Sequence, residues 1–265
     1  MASEPSRDVA GLRAGAGRRW LDIASDPMDH RVLAHRRANV DAARRPPITD
    51  RAGYLCSLAA GKRLLDIGVV DHDLGSDRGG QWLHGRLAAV ASFVLGVDVL
   101  KPEVDMLLER GFAVECRDVT EGDLPSSGPF DLVVAGEVIE HLDRPGHLFT
   151  AAARLLAPDG RFVLTTPNPY AVWRVYQNLR GRPHENVDHV TLVTAWGVAE
   201  FAERAGLRLA SFRGIRTDPV GRKARLVRSL LRRGWLPVVP EAVCESVLYE
   251  VIPAGPGPLT TRPDG

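Results

Sequence analysis

Two hydrophobic rhythms alternate along the chain from Gly61 onward. Short apolar, β-branched runs fall at Arg63–Gly68, Ser92–Val97, Ala113–Cys116, Phe130–Ala135 and Gly160–Thr165, and stretches of helical period lie between them at Trp82–Ala91, Lys101–Arg110 and His147–Leu156. Strands separated by helices predict βαβ units and a parallel sheet, because parallel neighbours need a crossover. The string Leu155-Leu156-Ala157-Pro158-Asp159-Gly160 predicts a helix end, a turn and the start of a strand, since Pro stops the helix and Asp-Gly suits the turn. Further on, Trp196–Ala205 predicts a helix closed by Gly206, and Leu207–Ile215 and Val247–Ile252 predict two last strands that finish the sheet as an antiparallel pair.

The flanks read differently. Residues 1–18 are polar and rich in Gly, Ala and Arg and predict a disordered start; 19–58 carry mixed helical patterns (Trp20-Leu21, Val32-Leu33, Val40, Ala42-Ala43) broken by Pro46-Pro47, a helical preface to a main domain over 59–252. Residues 253–265, rich in Pro and Gly, predict a disordered tail. Segment 221–240 is basic and amphipathic, with Leu226, Val227, Leu230 and Leu231 on one side. It predicts a helical insertion on the surface, with a substrate lid or an anion-binding patch as alternatives.

Composition narrows the classes. At 265 residues, 45% hydrophobic and net +1, the chain can bury one large core and carries no global field calling for nucleic acid. The basic residues are nearly all Arg, a bias of composition before it is a sign of phosphate recognition. Cys56, Cys116 and Cys244 fit no C-x-x-C spacing and leave an odd thiol, which argues against a disulfide framework or a cysteine zinc site and for a reducing cytoplasm. No stretch approaches the roughly 20 apolar residues of a membrane span, and no secretory h-region is visible.

The chemistry concentrates at strand ends. Lys62-Arg63-Leu64-Leu65-Asp66-Ile67-Gly68 is a buried strand ending in an acid and a glycine, where open α/β sheets bind ligands and where a glycine allows close backbone approach. Asp98, after Val94-Leu95-Gly96-Val97, is placed to accept from two ribose hydroxyls, and Asp118, after Cys116-Arg117, to accept from an adenine amino group. A lone acid of this kind is as readily a helix cap. Three in order, in strand context, make a nucleoside-binding pattern.

On these residues, the stretch 61–165, extending to about 215, resembles the class I S-adenosylmethionine (SAM)-dependent methyltransferases, above all the branch with ubiquinone-pathway O-methyltransferases. The resemblance implies a Rossmann-like, seven-stranded, mostly parallel sheet with helices on both faces. It also implies a SAM site of Asp66, Gly68, Val69, Asp98, Val99, Asp118, Val119 and Glu137. One departure stands out: the family's G-x-G-x-G loop keeps only its first glycine here, followed by Val69-Val70-Asp71-His72-Asp73-Leu74-Gly75. The loop running to Trp82-Leu83-His84 is expected to take its own path over the methionine end of SAM. The missing glycines also weigh against a NAD-dependent oxidoreductase, whose pyrophosphate needs close backbone approach.

Gly136-Glu137-Val138-Ile139-Glu140-His141-Leu142 follows the fourth strand, and if this turn is helical Glu137, Glu140 and His141 share one face. Two carboxylates and an imidazole together can bind a divalent cation; the alternative is an acid that contacts SAM and a His that packs. Thr166-Pro167-Asn168-Pro169, then His184-Glu185-Asn186-Val187-Asp188-His189 ahead of Thr194, resemble small-RNA 2′-O-methyltransferases, which hold a divalent cation with two Glu and two His. That resemblance implies Glu137, Glu140, His141 and His189 as ligands for Mg, Mn or Zn. A cation would lower a hydroxyl's pKa and orient it. Without one, His189 or His184 becomes the general base, with His141 beside them and His72 and His84 behind. The expected activity is O-methylation of a small-molecule sugar or phenol in a biosynthetic or tailoring pathway. RNA 2′-O-methylation, N- or C-methylation and a non-catalytic SAM-fold subunit are the alternatives.

Overall fold

The computed structural model describes residues 20–70, 82–183, 185–216 and 240–255. The expected disordered start, His72 with most of the 69–84 loop, His184, nearly all of the 221–240 insertion and the tail beyond Gly255 lie outside the described residues.

Seven strands form one sheet: β1 (Arg63–Ile67), β2 (Phe93–Asp98), β3 (Val114–Cys116), β4 (Phe130–Gly136), β5 (Leu156–Pro167), β6 (Leu207–Ile215) and β7 (Ser246–Pro253), in the order β3-β2-β1-β4-β5-β7-β6. β1 to β5 are mutually parallel where they pair, and β7 runs antiparallel to both β5 and β6. The expected antiparallel pair is present, with β7 inserted between β5 and β6. Every strand of the sequence reading exists; β5 starts earlier than expected. Leu156 already pairs with Phe130, and the next partner pair is Leu132 with Arg161. The Pro158-Asp159 turn is thus a bulge inside the strand, tight enough that a Cβ on Gly160 would sit 2.9 Å from the Ala157 and Phe130 carbonyl oxygens.

Among the described residues seven α-helices accompany the sheet: α1 (His30–Ala43), α2 (Arg51–Ala59), α3 (Leu83–Ala88), α4 (Lys101–Glu109), α5 (Pro145–Leu155), α6 (Val172–Leu179) and α7 (Ala195–Arg204). The period-2 alternation of the strands divides their side chains between two layers. Leu65, Ile67, Val133 and Ala135 face a core shared with α1, α5 and α7, while Leu64, Leu132 and Val134 face one shared with α2 and α3. Caps read from the sequence hold: Thr194 Oγ1 accepts from Gly197 N at 3.2 Å, and Gly206 takes φ +76° past the end of α7.

The preface joins the sheet. Arg45 N donates to Phe212 O (2.8 Å), Ile48 N to Gly214 O (2.9 Å) and Arg216 N to Ile48 O (2.7 Å), so 44–48 runs along the outer edge of β6 and covers it. α6 is a helix the sequence reading missed. It has no side-chain N-cap, and although Val172, Trp173, Tyr176 and Leu179 recur at helical spacing, Trp173, Tyr176 and Leu179 are exposed and no residue of the helix is buried. Among the described residues no helix is long and apolar enough to cross a membrane.

Candidate active site

The carboxyl ends of β1, β2 and β4 meet at one rim. Gly68 leaves β1 with φ +77°, and a Cβ there would come within 2.4 Å of Val138 Cγ2, so both the turn and the proximity of the β4 end require glycine. Asp98, ending β2, accepts from Val70 N (2.9 Å) and Leu100 N (3.1 Å) and so holds the backbone on either side of the rim, including that of Val69 and Val99. Asp118 accepts from Thr120 N (2.9 Å) and Thr120 Oγ1 (2.6 Å), capping the short 3-10 turn Val119–Glu121 in which Val119 is buried.

Asp66 is differently placed. Period 2 puts it on the same face as Leu64, under α3, where its Oδ2 lies 2.9 Å from His84 Nδ1 and both residues are buried. Burial pushes the Asp66 carboxyl up and the bond to His84 opposes it. The ring of His84 fits because β2 has Gly96 opposite: a Cβ there would meet His84 Cε1 at 2.8 Å and Val69 Cγ1 at 2.7 Å. Trp82, 5.1 Å from the His84 ring, donates from Nε1 to Val69 O at 2.8 Å. A histidine from the far side of the loop is thereby locked to β1. It is buried between α3 and the sheet.

The Glu137–His141 segment is not an α-helical turn. Glu137 N continues the sheet ladder to Thr165 O (2.9 Å), Glu137 itself takes φ +57°, and only Ile139–His141 is helical, as a 3-10 turn. Glu137 therefore approaches Glu140 from the end of the β4 ladder and not along a helical face. Among the described residues, Glu140, His141 and His189 bring one ligand atom each within 4.8 Å of one another. Glu137 instead lies between Glu140 and Arg51, with Arg51 Nη1 3.7 Å from its Oε1.

Glu140 is fully buried and neither of its carboxylate oxygens has a partner in hydrogen-bond geometry; His189 Nδ1 is likewise buried and unpartnered. Burial first, and the Glu137 carboxylate second, push Glu140 up to about 8. Burial and then the neighbouring His141 hold His189 below its ordinary value, which favours the neutral, ligating imidazole. A buried acid that faces two imidazoles, with the neighbouring Thr166 hydroxyl out of hydrogen-bond geometry, is costly unless a cation or a proton joins it. The donor set fits a divalent cation of the Mn or Zn kind as well as Mg.

Two neighbours went unrecognised in the sequence. Arg174, from α6, pairs with Glu185 and lies near Glu137 and Glu140. Arg51 opens α2 in the preface and reaches the rim, where its Nη2 would be 2.7 Å from a Cβ on Gly136. Nothing local distinguishes either from the many other arginines. In the T-P-N segment the buried Thr166 hydroxyl lies beside Glu140, while Asn168 serves the scaffold: its Nδ2 donates to Glu241 O (2.8 Å) and Cys244 O (2.9 Å), tying β5 to the approach of β7.

A family profile described as a methyltransferase domain matches residues 44–211. Among curated proteins, the chain is 29% identical to a ubiquinone biosynthesis O-methyltransferase of Dechloromonas aromatica (strain RCB) over 63% of this chain and 73% of that one. It is 27% identical to a protein of the same name from Burkholderia orbicola (strain MC0-3), over 73% and 87%. Among solved structures, the magnesium protoporphyrin IX methyltransferase of Synechocystis PCC 6803 with bound SAH is similar in fold, with a TM-score of 0.50, 14% identity and 93% coverage of both chains.

Proposed function

The chain belongs to the methyltransferase-domain family and is a SAM-dependent methyltransferase; on that premise we propose that it methylates a hydroxyl of a small molecule, a phenol or a sugar, with a divalent cation held by Glu140, His141 and His189. The observation that carries the cation is Glu140, buried, facing two imidazoles and with neither carboxylate oxygen in hydrogen-bond geometry with a partner. When bound, such a cation supplies a lowered pKa and a fixed orientation for a hydroxyl. The names of the curated relatives support oxygen as the acceptor atom, and a net charge of +1 favours a small molecule over RNA. The catalytic unit is 59–252, with the preface contributing to the site through Arg51.

The chain's own residues do the rest. Asp98 would accept from the ribose hydroxyls, Gly68 would let the backbone approach the cofactor, and the Arg51 guanidinium at the rim would meet the carboxylate of the methionine part of SAM. Without the cation, the neutral His189 imidazole would be the group to take the acceptor proton. Positioning is the main demand, because the methyl must lie in line between sulfur and oxygen.

Methyl transfer from SAM to a panel of catechols, phenols and glycosides should collapse in chelator and return with Mn²⁺, Mg²⁺ or Zn²⁺; activity indifferent to chelator would remove the cation from this reading and leave His189 as base. Arg51→Ala should weaken SAM binding about tenfold to a hundredfold, in line with roughly 1.5–3 kcal/mol for a charge-assisted bond. Arg51→Lys should recover part of it. Calorimetric titration with SAM measures both, and unchanged affinity in Arg51→Ala would exclude the assignment.

A further inference from the structure

Asp188 supplies no atom to the cluster of Glu140, His141 and His189, yet it is bonded to it. Its Oδ2 lies 2.8 Å from His141 Nδ1, across 47 residues of sequence. The turn that carries it is built on Asn186, whose Oδ1 accepts from Asp188 N (3.2 Å) and whose carbonyl accepts from His189 N (3.1 Å). Directly after it, Val190 N (2.9 Å) and Thr191 N (3.1 Å) both donate to Glu140 O. The 186–191 turn is therefore docked onto the 139–141 turn by main-chain bonds, and it delivers two consecutive side chains: His189 to the cluster and Asp188 to the outer nitrogen of the other histidine.

A carboxylate only accepts, so the bond calls for a proton on His141 Nδ1, and in the neutral ring the lone pair is then on Nε2. This is the arrangement by which an outer carboxylate fixes the tautomer and ring orientation of a metal-ligating histidine. We infer that Asp188 is the positioning residue of the cation site, holding His141 in the Nδ1–H tautomer with Nε2 presented to the ion. The inference rests on the cation reading above. The Asp188 side chain is 73% exposed, and exposed ion pairs add little to stability, so its removal should spare the fold and act on the site.

The test titrates Co²⁺ alone into the full-length protein, followed by its visible absorption, with Mn²⁺ as competitor. Asp188→Asn should bind Co²⁺ about tenfold to a hundredfold more weakly than the parent, Asp188→Glu should restore part of the loss, and Glu140→Gln should abolish the signal. In metal-free protein, ¹⁵N NMR of the imidazoles should report Nδ1–H on His141, and a tautomer mixture in Asp188→Asn. Parent binding with unchanged affinity in Asp188→Asn would overturn the role of Asp188 alone. A parent that takes up neither ion would overturn the cation reading and this inference with it.

Discussion

A Glu140→Gln variant should lose divalent-ion binding, lose methyl transfer by a factor of about 100 or more, and yet be more stable than the parent at pH 8 when metal is absent. The first two effects follow from removing the one buried carboxylate of the cluster: an amide oxygen is neutral and leaves two imidazoles without a charge to neutralise the ion. The loss in transfer follows the loss of the cation, which would otherwise lower the hydroxyl's pKa and fix its orientation, and is on the order of 10²-fold or more. The stability effect has a definite sign. Glu140 is held protonated in the folded protein up to about 8, against an ordinary 4.5. Between those values the folded state binds more protons than the unfolded one, so stability is full below about pH 4.5 and is lost as pH rises through about 8. The slope reaches at most about 1.4 kcal/mol per pH unit. Glutamine mimics the protonated acid and abolishes that slope. Urea midpoints at pH 5, 6.5 and 8, in chelator, measure it; a parent and variant with the same pH dependence would refute the burial argument. Added Mn²⁺ should flatten the parent's slope, because a cation favours the carboxylate.

His84→Ala should destabilise the fold by about 1–3 kcal/mol, the cost of leaving a buried acceptor without its hydrogen-bond partner. Asp66 Oδ2 bonds His84 Nδ1 at 2.9 Å in a layer where both side chains are nearly inaccessible. With alanine the acid keeps its burial and loses its partner, so its carboxyl rises further and the variant becomes progressively less stable as pH increases. Gly96 gives an independent probe of the same packing. Gly96→Val must displace the His84 ring and the Val69 and Val114 side chains, each within 3 Å of the added Cβ, and overpacking of this kind costs about 1–3 kcal/mol. Chemical denaturation of the two variants and their double mutant decides whether the sites act as one unit. Additive costs would show that Gly96 does not serve the His84 site.

The two regions were unequally legible in the sequence. The β-branched runs located all seven strands, and Asp98 and Asp118 at the ends of β2 and β3 could be read directly, because strand ends in an open parallel sheet gather on one edge. The helix over Ala195–Arg204 followed from Thr194 and Gly206. By contrast α6 carries neither cap nor buried stripe, and the expectation of one helical face for Glu137, Glu140 and His141 failed because the chain stays in the ladder through Glu137 and then turns in 3-10 form.

Hydrophobic period and turn chemistry thus determined on their own that this is a doubly covered, mostly parallel sheet with acids at its strand ends, since both signals are local and repeat within a few residues. Tertiary structure alone decided that Arg51 of the preface reaches the β4 rim, that Asp66 turns under α3 to His84, and that the 186–191 turn docks on Glu140 O to bring Asp188 and His189 against His141. Those pairings join segments 18 to 86 residues apart, and no periodicity spans such a distance; only the packing of the layers brings the partners within bonding range.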